Sequence, residues 1–125
     1  MSCPAKFKSM GQFHLYYNKE YEVPYMTIFI GGNHEASNVL EENYYGGFIM
    51  PKIFYLGKSG LIKFKGISIA GISGIFKSND YFKGIFEDDL ISSIKSVYHT
   101  REFEVAKLSR VLIIKLIMKL IKKYT

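Results

Sequence analysis

Apolar and polar positions alternate in three different rhythms along the chain, and each rhythm predicts a different element. Phe7, Met10, Phe13 and Tyr17 recur at helical spacing behind Ser2 and Pro4. A capping hydroxyl and a first-turn proline suit a helix start, so a helix is expected over 2–17 with His14 half-buried on it. Pro24 ends that pattern, and the apolar run at 26–31 reads as a buried strand. A short helix is expected over 35–42. The Tyr44-Tyr45-Gly46-Gly47 stretch reads as a turn, and Pro51 opens a further strand, Lys-Ile-Phe-Tyr-Leu.

Residues 60–76, GLIKFKGISIAGISGIF, alternate on both sides of Lys65-Gly66. That pattern predicts a hairpin, its second strand the more deeply buried. A loop follows at 77–84. Helices are expected over 88–98, started by Asp88 or Asp89, and over 101–110. Strands in the middle with helices on the flanks make a mixed α/β chain, with no repeat and no low-complexity linker.

Composition adds constraints. At 125 residues the chain is one domain at most. Its net charge of +6 is compatible with an acidic partner such as RNA, although charge alone does not select RNA over a membrane. A single cysteine, Cys3, rules out an internal disulfide and fits a reducing compartment. The first ten residues hold no apolar core of a signal peptide, and no stretch reaches the ~20 apolar residues of a membrane span.

The last fifteen residues, VLIIKLIMKLIKKYT, differ from the rest. Lys115, Lys119, Lys122 and Lys123 fall three or four apart or adjacent, so a helix shows them near one face. A basic amphipathic helix lies on a membrane or in a partner's groove; the plainer alternative is a terminal helix packed on its own domain.

The candidate chemistry sits just behind the strand at 26–31. Gly31 and Gly32 permit close approach of a ligand. Asn33 offers an amide oxygen, His34 exchanges a proton near neutral pH, and Glu35 accepts hydrogen bonds that fix the turn. An apolar strand ending in such a turn is where α/β proteins place their chemistry.

The Gly-Asn-His-Glu run resembles the third signature block of the calcineurin-like metallophosphoesterases. Its extended form GGNHEASN, 31–38, resembles one branch of them, the RNA lariat debranching enzymes. YYGGFIMPKIFYLGKSG (44–60), GISIAGISGIFKSNDYFKGIFE (66–87) and SVYHTREFEVAKL (96–108) are similar to further blocks of that branch. The resemblance covers 1–110 and stops after Ser109-Arg110, leaving 111–125 as a tail outside the family; this implies translated intron or frameshifted sequence there, in keeping with Ile, Lys, Leu, Met and Tyr as the yield of A/T-rich codons, and an accidental amphipathic look.

The resemblance implies a partial metallophosphoesterase sandwich, a mixed sheet flanked by helices, lacking its N- and C-terminal parts. It implies a binuclear centre of divalent iron, zinc or manganese. Asn33 would be a metal ligand and His34 the proton donor to the 2′-oxygen leaving a 2′–5′ branch, with Gly31, Gly32 and Glu35 supporting the turn. It implies branched lariat RNA as partner, no membrane, and a nuclear place of work in mRNA splicing. A lariat-recognition segment would span about 73–103. There Lys77, Lys83 and Arg101 would meet phosphates, Tyr81 and Tyr98 would stack on bases, and His99 would join them. Departures are plain. The family's Cys-x-His-Gly, Gly-Asp, Ser-His-Asp and Gly-His-x-His blocks are not in this chain, so most metal ligands are missing and it reads as an internal piece. One family histidine in the loop is replaced at Gly84-Ile85-Phe86. Such a chain, taken alone, is expected to be inactive or at most weakly RNA-binding.

Overall fold

The computed structural model describes residues 5–7, 9, 11–84 and 96–124. The expected helix start at Ser2 and Pro4, and most of the expected helix over 88–98, lie outside them. In chain order the elements are a 3₁₀ turn Ala5–Phe7, α1 (Phe13–Tyr17), β1 (Thr27–Phe29), α2 (Ser37–Glu42), β2 (Gly47–Met50), β3 (Ile53–Tyr55), β4 (Ser59–Phe64), β5 (Ile67–Ile72), α3 (Ser78–Tyr81) and α4 (Glu102–Tyr124).

The chain is thus mixed α/β, as its patterning implies. One sheet has the order β1-β3-β2, with β1 parallel and β2 antiparallel to β3. The Thr27 amide donates to the Lys52 carbonyl at 2.8 Å, which sets β1 beside the start of β3. The register of β2 shifts between Phe48 and Met50, a bulge in the antiparallel pair. Strands β4 and β5 form a separate hairpin, paired from Ser59 with Ile72 to Phe64 with Ile67. Lys65 and Gly66 turn it with φ of +46° and +84°, the two positive angles that match the twist of a two-residue hairpin.

Four expectations are corrected. The helix expected over 2–17 is broken: Gly11 stands at φ +52°, off the helical path, and among the described residues of that range only Phe13–Tyr17 is α-helical. That helix is too short to bury a face, and His14 is exposed rather than half-buried. The strand expected to be buried at 26–31 shortens to Thr27–Phe29, is only half-buried and lies at the edge of its sheet; β3 is central because β2 folds back on it through Pro51-Lys52. Strand β2 was hidden in what reads as a glycine turn, since only three apolar residues follow the glycines. Finally, β5 is the more exposed strand of the hairpin, with Ile67 67% accessible, because α4 packs more closely on β4.

Burial concentrates around the start of the hairpin. Met50, Tyr55 and Leu56 are the buried apolar side chains among the described residues, and they sit beside buried polar ones: Lys58, Ser59, Ser73, His99, Thr100, Arg101 and Glu104. Glu104, in the first turn of α4, accepts from the Ser59 hydroxyl and pairs with Lys107 at 2.7 Å. Helix α4 continues without a break past residue 110, so no structural boundary separates 111–124 from what precedes it. Its second half leaves an apolar side uncovered: Ile113, Ile114 and Leu116 are each more than half exposed.

Candidate functional site

Three chain segments meet at the carboxyl end of β1. The first is the turn after that strand. Gly31 is buried, and its amide donates to the Ser73 hydroxyl at 3.1 Å while its carbonyl accepts from Gly74 at 2.7 Å. The second is the end of β5, which brings Ser73 and Gly74. The third is the stretch from Ser96 to Thr100, which runs parallel to Ile75: the Ile75 amide donates to the Tyr98 carbonyl at 3.0 Å and the Thr100 amide to the Ile75 carbonyl at 2.9 Å.

Gly74 makes this junction possible. It has φ +95°, and a Cβ there would stand 2.3 Å from the Tyr98 carbonyl oxygen. Only glycine relieves both constraints. The Ser73 hydroxyl donates in turn to the Gly57 carbonyl at 2.7 Å, and the Thr100 hydroxyl donates to the Ser73 carbonyl at 3.1 Å. The junction is therefore tied by backbone and short hydroxyls rather than by apolar packing.

The turn itself is held from within. The Glu35 carboxylate accepts from the Gly32 amide at 2.6 Å, a charge-assisted bond that closes the turn across Asn33 and His34. Residues 33–35 form a bend, not a helix. Asn33 is half-buried and His34 exposed. Neither side chain has a hydrogen-bond partner among the described residues, so both are available to a ligand.

Beneath the turn lies a small cleft whose walls include Gly32, Glu41, Tyr55, Lys58 and Tyr98. Lys58 is 7% exposed; its ammonium donates to the Val97 carbonyl and lies 3.8 Å from Glu41. Burial pushes its pKa below the usual lysine value, against the opposing pull of Glu41. Lys58 thereby bridges α2, which follows the His34 turn, to the strand of chain that carries Tyr98. Sequence patterning does not single it out, since a lysine between a glycine and a serine reads as a loop residue.

The six residues expected to meet RNA separate into two groups. Lys77 is exposed at the entrance to α3, and Lys83 is exposed with its ammonium 3.5 Å from Asp80. Tyr81 is half-buried, its ring 5.3 Å from that of Phe76; Tyr98 is half-buried and edge-on to His99 at 5.0 Å. His99 and Arg101 depart from the expected surface position. His99 is 8% exposed, with Nδ1 2.6 Å from the Asp80 carboxylate, and that hydrogen bond holds the Asp80 carboxyl below its usual pKa. Arg101 is 1% exposed; its guanidinium donates to the Asp80 carbonyl and to the Ser96 hydroxyl and carbonyl. The physical reason is valence. A guanidinium has five donors, and here they add to the amide bonds that the Asp80 and Ser96 carbonyls already accept from Lys83 and His99, tying the two ends of the segment together.

A metal centre is not completed by these side chains. Among the described residues no three His, Cys, Asp or Glu converge as a metal site requires. Asn33 supplies one amide oxygen, whereas a pair of metal ions clamping a phosphate needs several protein ligands each. The described residues do not fit a binuclear centre by themselves, and further donors would have to come from elsewhere.

No protein-family model matches the chain. Its curated relatives are specific. It is 53% identical over 112 residues to the lariat debranching enzyme of Mus musculus, 88% of this chain and 20% of that protein. It is 52% identical over 112 residues to the lariat debranching enzyme of Homo sapiens, 88% of this chain and 21% of that protein. Against the lariat debranching enzyme of Schizosaccharomyces pombe the identity is 51% over 110 residues, 86% of this chain and 24% of that protein. The chain thus spans about a fifth to a quarter of the length of these relatives. The resemblance expected from the Gly-Asn-His-Glu turn and its companion blocks is borne out.

Proposed function

We propose that this chain is a segment of an RNA lariat debranching phosphodiesterase, acting on the 2′–5′ phosphodiester at intron branch points. The observation that carries the reading is the half-identity to three such enzymes, combined with the Asn33-His34 turn, whose Gly32 shares a cleft with Tyr98. The wider fold would be a metallophosphoesterase sandwich, of which the three-stranded sheet and the hairpin form a part. Divalent metal ions would supply polarisation of the phosphate and an activated water.

This chain's own residues would do four things. Asn33 would lend an amide oxygen to the metal centre. His34 would hold a proton for the 2′-oxygen as it leaves, a role its exposed ring and lack of competing partners suit. Glu35 would keep the turn closed through the Gly32 amide. Lys77, Lys83, Tyr81 and Tyr98 would receive the branched RNA by phosphate contact and stacking, with His99 and Arg101 holding that segment in place from behind. The place of work would be the nucleus, where introns are spliced.

The test is a chimera. Residues 1–110 replace the matching segment of the mouse enzyme, and the product is assayed on a branched RNA with manganese, iron(II) or zinc. Metal-dependent release of the 2′-linked strand at a rate near the parent's supports the reading. Loss of cleavage in a chimera that folds and binds metal normally refutes it.

A further inference from the structure

The second half of α4 is unlike the rest of the surface. Ile113, Ile114, Leu116, Ile117, Met118 and Leu120 are between 49% and 59% exposed on one helix. At 3.6 residues per turn, Lys115, Lys119 and Lys122 gather within roughly 60° of the helix circumference, and these six apolar residues occupy the remainder. The Lys115 ammonium donates to the Ser68 hydroxyl of β5 at 2.6 Å. The lysine side therefore faces the hairpin, and the apolar arc opposite it faces away from the domain.

The hairpin tip continues this character. Lys63 and Lys65 are exposed, and Ile67 beside them is 67% accessible. Neither segment contains an acidic residue: Asp and Glu are absent from 43–79 and from 105–125. One end of the molecule is thus both apolar and uniformly positive. RNA would neutralise the lysines but leave the isoleucines in water. A second copy of this chain packed on the apolar arc would cover the isoleucines but leave the lysines, on the other side of the helix, without an acidic partner. A surface that is anionic at its head and apolar beneath satisfies both halves at once.

We propose that this end of the molecule docks on an anionic lipid bilayer, with the apolar arc of α4 sunk to the acyl boundary and the lysines at headgroup level. The helix lies on the bilayer; no helix among the described residues is long and apolar enough to cross one. This inference is independent of the debranching reading and departs from the expectation that the chain has no membrane partner.

The experiment is co-sedimentation of the full chain with vesicles of phosphatidylcholine alone, or with about 30% phosphatidylserine added, the fraction that gives a clearly negative surface. Binding to the anionic vesicles is expected to be about tenfold tighter or more, and to weaken at high salt. Ile117→Glu and, separately, Lys119→Glu each weaken it about tenfold or more; both positions are exposed, so far-UV circular dichroism stays unchanged, and Ile113→Glu repeats the apolar test at a second site. Equal binding to both vesicle types, no binding to either, or indifference to Ile117→Glu and Ile113→Glu overturns the proposal. So does light scattering that shows a stable dimer dissociated by Ile117→Glu in a protein that ignores vesicles.

Discussion

The backbone amide of Gly31 donates to the Ser73 hydroxyl at 3.1 Å, across 42 residues of sequence. This single bond joins the turn that carries Asn33 and His34 to the end of the hairpin that carries Gly74. The same hydroxyl donates to Gly57, so one oxygen serves two main-chain groups. Ser73→Ala leaves the Gly31 amide and the Gly57 carbonyl buried without that partner. A loss of about 1–3 kcal/mol is expected, measured as a lower urea midpoint with an unchanged slope.

Gly74 is the more sensitive neighbour. Its φ of +95° and the 2.3 Å approach to the Tyr98 carbonyl leave no room for a methyl group. Gly74→Ala should cost more than the ~1 kcal/mol of a positive φ alone, since the Ile75–Tyr98 pairing must also shift. Gly84→Ala, where a Cβ meets nothing within 4 Å, is the matched control and should move the thermal midpoint little. Equal effects at the two positions would contradict the packing described for Gly74.

In the chimeric enzyme, His34→Ala should lower turnover by about 10²–10⁴-fold, the usual range for a lost general acid. Metal content by elemental analysis should stay near normal, because the role proposed for His34 is to hold a proton and not to ligate metal. Asn33→Ala should instead reduce metal occupancy. Parental turnover in the histidine variant would remove His34 from the chemistry.

Residues 1–125 alone should not release the 2′-linked strand, since one amide donor does not hold two metal ions. Residual RNA binding through Lys77 and Lys83 should fade steeply with salt, by counterion release. Metal-dependent cleavage by the isolated chain, abolished in His34→Ala, would show that the ligand count misjudges the site.

The Asp80–His99 contact has a definite pH signature. The hydrogen bond from His99 lowers the Asp80 pKa in the folded chain. A carboxyl depressed on folding adds stability that is fully present above its unfolded pKa and is lost as pH falls through the folded value. Thermal midpoints should therefore drop on acidification below about pH 4, the ordinary aspartate range, and Asp80→Asn should flatten that part of the curve. Tyr98, edge-on to His99, should report the same loosening through its fluorescence.

What the sequence by itself determined are the features set by near neighbours. The Lys65-Gly66 hairpin, the strand before the glycine pair, the short helix after it and the α/β class follow from alternation, β-branching and turn chemistry within a few residues. So does the Gly-Asn-His-Glu turn, because its clamp runs from Glu35 back to Gly32. Only the tertiary structure decided which strand is central, since that depends on where Pro51-Lys52 returns the chain. It also decided that Arg101 and His99 lie inside, where their donors and ring satisfy Asp80 and Ser96, while Lys77 and Lys83 stay outside. All four are polar, and no local pattern separates a cation that satisfies buried carbonyls from one that faces water. The same holds for Lys58: its role as a bridge exists only once Val97 and Glu41, distant in sequence, close over it.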